Sequence, residues 1–396
     1  MSIISVRSCN TLNNRSEKIE RIAIFSVSAG SGHVRAAQAI QAAAALWYPD
    51  VDVMHIDLME LVPKLFRTIY TGTYIKLIEQ HPALWGYLYD RTDREKIDSS
   101  LSRLRSTVET LNTRKLKKVL NDIAPDHVIC THFLPAQLLS RRIRKGKFLK
   151  PVWVQVTDFD MHTLWIHKGM SGYLAAHDEL AWRMSERGIP AELTHVTGIP
   201  IMPAFADRLS RTTCAHELGL DPASKTLLMM SGGAGLGDSL KLAERLLSME
   251  GEFQIVALAG RNERQFKKLK SLAARYPGRL FPVGFINTVE RAMAASDLAI
   301  TKPGGLTSSE CLAIGLPIVI VSPIPGQEDR NADYLLEQGV AMKACDVNAV
   351  AWRLNLLFNE PERLDIMRVK ARLLGRPDSA RKVLDCVLGR ISGEYS

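Results

Sequence analysis

Three glycine-rich turns and two short polar clusters hold the residue types that could do chemistry. The first turn is Gly30-Ser31-Gly32-His33, between the apolar run Arg21–Ser28 and an alanine-rich stretch reaching Trp47. Glycine lets a ligand approach the backbone, and a helix start favours negative charge. A histidine beside such a turn can take a proton from a substrate hydroxyl, or merely cap the helix. As a dinucleotide fingerprint the turn is incomplete, because Arg35 stands where the third glycine belongs, although Asp57 lies 25 residues past Gly32. The second turn opens with Ser231, Gly232, Gly233, Ala234 and Gly235, and Ser231–Gly237 holds four glycines in seven residues. Its N–H groups could cradle a diphosphate without a metal, or form only a tight turn. The third runs from Thr301 to Glu310 through Gly304, Gly305, Leu306 and Thr307. Glu310 either closes a capping box with Thr307 or accepts hydrogen bonds from a ribose diol. Gln327 and Glu328 follow a buried-strand pattern, where open α/β sheets bind ligands, and would suit sugar hydroxyls. Asp158 and Asp160 have the D-x-D spacing of a metal site, but lie in the first half of the chain, away from the second and third glycine turns. Asp158 is expected to orient rather than chelate, and no metal site is predicted.

The elements that must carry these residues alternate strand and helix. Short apolar runs at Arg21–Ser28, Val51–Asp57, His127–Cys130, Val152–Val156, Tyr173–Ala175 and Leu193–Val196 read as strands, with helices predicted over 136–146 and 178–187. The Pro-rich Gly198–Pro203 interrupts them, and the alternation restarts at Thr226–Met230. Strands follow at Gln254–Ala259, Leu280–Val283, Leu298–Thr301 and Pro317–Val321, and 346–388 reads as helical. The pattern predicts an α/β protein with two Rossmann-like domains facing a central cleft. The boundaries expected are a lead-in over 1–19, a first domain over 20–203, a second over 204–375, and a C-terminal helix over 376–396 that can return to the first domain.

Composition narrows the class. Of 396 residues, 46% are hydrophobic and 23% charged, as in folded proteins rather than disordered or collagenous chains. No apolar run approaches the ~18 residues of a membrane-spanning helix, and no P-loop motif occurs. Residues 1–10 lack the apolar core of a secretion signal, and the six cysteines show no C-x-x-C spacing, so a reduced intracellular setting without structural zinc is expected. Net charge is +9, yet residues 64–150 alone hold 18 basic and 8 acidic side chains. Within that basic region, Phe66, Tyr70, Tyr74, Trp85, Tyr87 and Tyr89 alternate with lysine and arginine. This is either an amphipathic helix packed on the core or a surface for anionic lipid. No RNA-binding signature accompanies it, and no nucleic-acid partner is expected.

In their order, these motifs resemble the monogalactosyldiacylglycerol synthase and processive diacylglycerol glucosyltransferase family. The matching stretches are S-A-G-S-G-H-V-R-A-A-Q-A-I, V-T-D-F-D-M-H-T-L-W-I-H, V-T-G-I-P-I and the whole of 280–343, so the likeness spans roughly 21–345. The first turn departs from members that carry three glycines before the histidine. The resemblance implies a GT-B fold and inverting transfer of a hexose from UDP-glucose or UDP-galactose to the hydroxyl of 1,2-diacylglycerol. The expected place is the cytoplasmic face of a membrane, peripherally bound, with no cofactor or metal required. It implies His33 as general base or acceptor-side catalytic group, Asp158 as a second catalytic-site residue with an orienting part, and Gly30, Ser31 and Gly32 near the reaction centre. Ser231–Gly235 and Gly304–Thr307 are expected around the diphosphate, Phe285 and Ile286 beside the uracil, Glu310 on the ribose, and Gln327 with Glu328 on the sugar or nearby phosphate. Phe66, Tyr70, Tyr74, Trp85, His162 and Trp165 are expected on the acceptor and membrane side. A polyprenyl-linked acceptor and a non-catalytic nucleotide-sugar or lipid binder remain the alternative readings, and the oligomeric state is left open.

Overall fold

The computed structural model describes residues 19–28, 30–62, 84, 86, 87, 89, 91, 93, 115–230 and 239–390. Phe66, Tyr70, Tyr74 and Trp85, and the turn Ser231–Gly235, lie outside the described residues.

The first sheet is built from β1 (Glu20–Ser26), β2 (Val51–Asp57), β3 (His127–Cys130), β4 (Val152–Gln155), β5 (Gly172–Ala175) and β6 (Thr194–Val196), in the order β2-β1-β3-β4-β5-β6. Every pairing is parallel. Between them run α1 (Gly32–Trp47), α2 (Phe133–Arg144) and α3 (Asp178–Glu186). After α4 (Arg211–Glu217), the second sheet takes β7 (Lys225–Met230), β8 (Phe253–Leu258), β9 (Leu280–Val283), β10 (Leu298–Thr301), β11 (Ile318–Val321) and β12 (Ala341–Ala344), ordered β12-β11-β10-β7-β8-β9. Its pairings are parallel too. Its helices are α5 (Ser239–Leu247), α6 (Glu263–Ala273), α7 (Val289–Ala294), α8 (Gly305–Ile314), α9 (Gln327–Glu337), α10 (Val347–Asn359) and α11 (Pro361–Leu374). Runs such as Ile22–Phe25 and Ile318–Ile320 are wholly buried, as strands covered on both faces require. Each sheet reverses its strand order once, between β1 and β3 and between β7 and β10. Those two crevices at the carboxyl ends of the strands are where such sheets bind ligands.

Two features emerge only with the fold. β12 is a strand that the sequence does not announce: Ala341-Met342-Lys343-Ala344 is short, carries a lysine, and is an edge strand placed only by its pairing with β11. The region 346–388 is helical as expected, and it divides into three helices because Pro361 starts α11 and Gly375-Arg376-Pro377 separates it from α12 (Ser379–Leu388).

α12 packs against α1. Ala380, Val383, Leu384 and Val387 share one buried cluster with Ile22, Ile24, Ile40 and Ala43 of the first sheet and its helix. Leu384 is fully buried there. Leu384→Ala is expected to lower unfolding free energy by about 2–5 kcal/mol, measured by denaturant titration.

Candidate active site

His33 is the second residue of α1 and sits above the crevice between β1 and β3. Gly30 has φ +114°, a backbone conformation that only glycine adopts easily, and it redirects the chain from β1 into the helix. The imidazole Nδ1 lies 2.9 Å from the carbonyl oxygen of Thr131, just past β3. It lies 2.9 Å from the hydroxyl of Thr157, just past β4. A carbonyl can only accept, so Nδ1 carries the proton and the Nε2 lone pair is exposed for an incoming proton. Burial lowers the His33 pKa from 6.5 to about 4, with the Thr131 carbonyl opposing it, so the ring is neutral at pH 7. The Thr131 hydroxyl donates back to the His33 carbonyl at 2.9 Å and ties down this end of the helix.

Aromatic groups surround that ring. His132 meets it edge-on at 4.6 Å, and Trp165 lies 6.2 Å away and is buried. His132 Nδ1 accepts from the Leu134 amide, and burial holds this second ring neutral as well. His162 has both nitrogens engaged by backbone: Nδ1 accepts from the Leu164 amide at 3.1 Å, and Nε2 donates to the Tyr89 carbonyl at 2.9 Å. Its role is to hold that loop.

The second half of the chain meets His33 from across the cleft. α8 begins at the switch point beside β10, capped by Gly304. A Cβ on Gly32 would lie 3.5 Å from Leu306 of α8. A Cβ on Gly305 would lie 2.0 Å from the Thr157 carbonyl oxygen, so glycine there is required for the two halves to close to this distance. The Ser308 hydroxyl, on the first turn of α8, is buried with no hydrogen-bond partner among the described residues. Glu310 is buried on the same helix, and burial raises its pKa to about 7, partly offset by Arg35 of α1.

Asp158 bridges the halves. It is buried, accepts from the Gln327 amide at 2.6 Å and from Asn331 at 3.2 Å, and burial raises its pKa to about 6 against those two donors. Asp160 turns instead to Arg183 at 2.6 Å and Arg330 at 3.2 Å. The two carboxylates of the D-x-D spacing therefore serve different partners. Among the described residues, no three metal-ligating side chains converge.

Glu328 accepts from the Ile324 amide at 2.7 Å and lies near Gly304, with burial raising its pKa. Phe285 is exposed beneath the Arg261 guanidinium, 4.6 Å from its ring centroid, and Ile286 packs on the core. The structure thus gathers His33, Asp158, Gly304–Thr307, Gln327 and Glu328 around one cleft. Phe285 lies at the end of β9, farther along the second sheet. Thr131, His132, Thr157, Arg330 and Asn331 belong to the same cleft and carry no local sequence signal beyond neighbouring His33, Asp158 or Gln327.

Comparison with known proteins follows this geometry. Residues 33–201 match the monogalactosyldiacylglycerol synthase family, and residues 233–373 match glycosyl transferases group 1. The processive diacylglycerol β-glucosyltransferase of Bacillus licheniformis is 26% identical over 373 residues, covering 93% of this chain and 94% of that protein. The enzyme of the same name from Bacillus cereus strain AH187 is 28% identical, covering 94% of each. Among solved structures, MurG of Acinetobacter baumannii superposes with a TM-score of 0.62 at 16% identity, over 93% of this chain and 99% of that one. A UDP-GlcNAc 2-epimerase from Neisseria meningitidis gives 0.58 at 13% identity, over 93% of this chain and 100% of that one. A fold shared with an epimerase leaves the reaction to the site. The chain thus has a GT-B fold, its first half is similar to the monogalactosyldiacylglycerol synthase family and its second half to group 1 glycosyl transferases, and along nearly its whole length it is similar to the processive diacylglycerol β-glucosyltransferases.

Proposed function

We propose that the protein transfers a hexose, with inversion, from UDP-glucose or UDP-galactose to the free hydroxyl of 1,2-diacylglycerol. The observation that carries this reading is His33: neutral, held through Nδ1, and facing the start of α8 across the cleft. The acceptor hydroxyl gives its proton to Nε2 while its oxygen attacks the anomeric carbon. The bond from that carbon to the UDP oxygen breaks, and UDP leaves with the electron pair. N–H groups at the start of α8 stabilise the charge growing on the diphosphate, which asks for no metal ion. In this reading residues 20–203 hold the acceptor, 204–375 hold the donor, and Ser231–Gly235 join Gly304–Thr307 on the diphosphate. Phe285 and Ile286 border the uracil. The names of the relatives support the lipid acceptor and favour glucose. A diacylglycerol acceptor places the protein on a membrane surface, as a peripheral protein of the cytoplasmic leaflet where UDP-sugars are supplied. Phe66, Tyr70, Tyr74 and Trp85 are assigned to that contact, and the buried Trp165 to the acceptor cleft beside His33. No helix among the described residues is long and apolar enough to cross a membrane.

Glu310 is the group proposed for the ribose diol. Its side chain makes no hydrogen bond among the described residues and the residue is largely buried, so two ribose hydroxyls would supply the hydrogen bonds it lacks. Hydrogen bonds to a charged group contribute about 1.5–3 kcal/mol, so Glu310→Gln is expected to weaken UDP binding roughly 10- to 100-fold. Calorimetry with UDP and with its 2′,3′-dideoxy analogue checks this. The variant should bind the two alike, whereas the parent should prefer UDP, and equal preference in the parent would remove Glu310 from the ribose. The transfer itself is tested by lipid turnover, with alkaline deacylation of the product: a prenyl-linked product survives it and would replace diacylglycerol as acceptor.

A further inference from the structure

We propose that Arg330 is a positioning residue: through Asp93 and Asp160 it fixes helix α9, and with it the Gln327 amide, against the acceptor half. This rests on the transfer reading for what is positioned, though not for the contact itself.

α9 uses one whole face on the first half of the chain. Gln327, Arg330, Asn331 and Tyr334 fall at the i, i+3, i+4 and i+7 spacing of a helix stripe. Gln327 and Asn331 bond Asp158, and Asn331 also accepts from the Phe159 amide at 2.8 Å. Tyr334 stacks on Phe159 and His177, with centroids 4.9 and 4.0 Å away. Arg330 donates to Asp93 at 2.8 Å and to Asp160 at 3.2 Å. The stripe starts at Gln327, and Glu328 follows it on the same helix, so any rotation of α9 moves both side chains proposed for the sugar.

A second stripe answers the first. Residues 86, 89 and 93 are helical and at helical spacing, and all three meet the start of α9. A Cβ on Gly86 would lie 2.9 Å from Pro325, and one on Gly326 would lie 2.7 Å from the Tyr89 ring. The Arg330 guanidinium sits 5.1 Å from the centroid of that ring. Asp93 is the hub. Its side chain is 8% exposed and also accepts from Thr163 and from Arg187. Asp160 is likewise shared with Arg183. Among the described residues, the carboxylates bonded to Arg330 are Asp93 and Asp160, with Arg187 and Arg183 behind them. Both bonds leave from Nη1 while the planar guanidinium lies against the Tyr89 ring, so a lysine would keep the charge between the carboxylates but not that packing. These contacts join the basic, aromatic segment of the acceptor half to the helix that would grip the donor sugar, and Arg330 is the residue common to both.

The test uses the full chain with Arg330→Gln, Arg330→Lys, Asp93→Asn and the double variant Asp93→Asn/Arg330→Gln. It reads transfer to diacylglycerol in liposomes, UDP affinity, and X-ray scattering in solution. Arg330→Gln should lower kcat at least tenfold while UDP affinity stays within twofold, and Arg330→Lys should recover part of the loss. In the Asp93→Asn background, adding Arg330→Gln should cost less than threefold more. A wild-type kcat in Arg330→Gln, whatever its melting temperature, would overturn the proposal, as would losses that multiply in the double variant. If the parent chain transfers no sugar, the function reading fails by itself. Scattering then decides the contact: Arg330→Gln should give a more open particle, and an unchanged curve would overturn it.

Discussion

His33→Ala is expected to lower kcat for sugar transfer about 10²- to 10⁴-fold, the range for a positioned general base, with UDP affinity within twofold of the parent. The ring touches Thr131 and Thr157 of its own half, so its loss leaves the proposed donor groups in place. A pH signature separates a base from a strut. The folded pKa is about 4 and the ordinary value 6.5, so the native ring stays neutral where the unfolded chain binds a proton. His33 therefore contributes stability that is fully present above pH 6.5 and is lost as pH falls through about 4. Asp158, raised to about 6, and Glu310, raised to about 7, act in the opposite sense: their contributions are present at acid pH and lost as pH rises through those values. The difference between parent and His33→Ala isolates the histidine. That difference in unfolding free energy should shrink on acidification from pH 7 to 4. Activity of the parent on lipid should hold to about pH 5 as far as His33 governs it. A variant as active as the parent at neutral pH would remove His33 from the proton transfer.

Gly305→Val should be nearly as damaging by a different route. The Cβ alone would fall 2.0 Å from the Thr157 carbonyl and 3.3 Å from Ile199. A backbone oxygen cannot swing aside as a flexible side chain can, so the two halves must separate to admit the substituent. Overpacking of this kind costs roughly 1–3 kcal/mol, and here that cost falls on the closed cleft rather than on either sheet. Transfer is expected to fall about 10- to 100-fold at full occupancy of both substrates, by the tenfold per 1.4 kcal/mol relation, while the melting temperature changes little. Gly305→Ala should show a smaller loss in the same direction. A Gly305→Val enzyme with the parent's kcat would mean that the close approach of α8 to Thr157 is not the working arrangement.

Much of this site is legible in the chain because α/β sheets put their chemistry at predictable places. A glycine after a buried strand and before a helix marks a switch point, and both Gly30–Gly32 and Gly304–Gly305 proved to flank one. Buried parallel strands announce themselves as apolar runs, so His127–Cys130 and Ile318–Val321 need no tertiary context. β12 does, because an edge strand with an exposed lysine owes its place to its neighbour. The same holds for the cleft's supporting cast. Thr131 and Thr157 look like ordinary strand-end residues until folding brings both within 2.9 Å of one ring nitrogen. Asp93 and Arg330 are 237 positions apart, and no local pattern pairs them. Asp158 shows the limit from the other side. Its D-x-D spacing suggests a shared ion, yet folding points its carboxylate at Gln327 and that of Asp160 at two arginines.

The most direct test of the account is transfer from labelled UDP-glucose and UDP-galactose, run in parallel, to diacylglycerol in anionic liposomes with EDTA present. The account predicts a monoglycosyl diacylglycerol with a β linkage from at least one donor, absent with His33→Ala, and the donor ratio names the sugar. A parent enzyme that binds UDP yet forms no glycosyl diacylglycerol from either donor would contradict it.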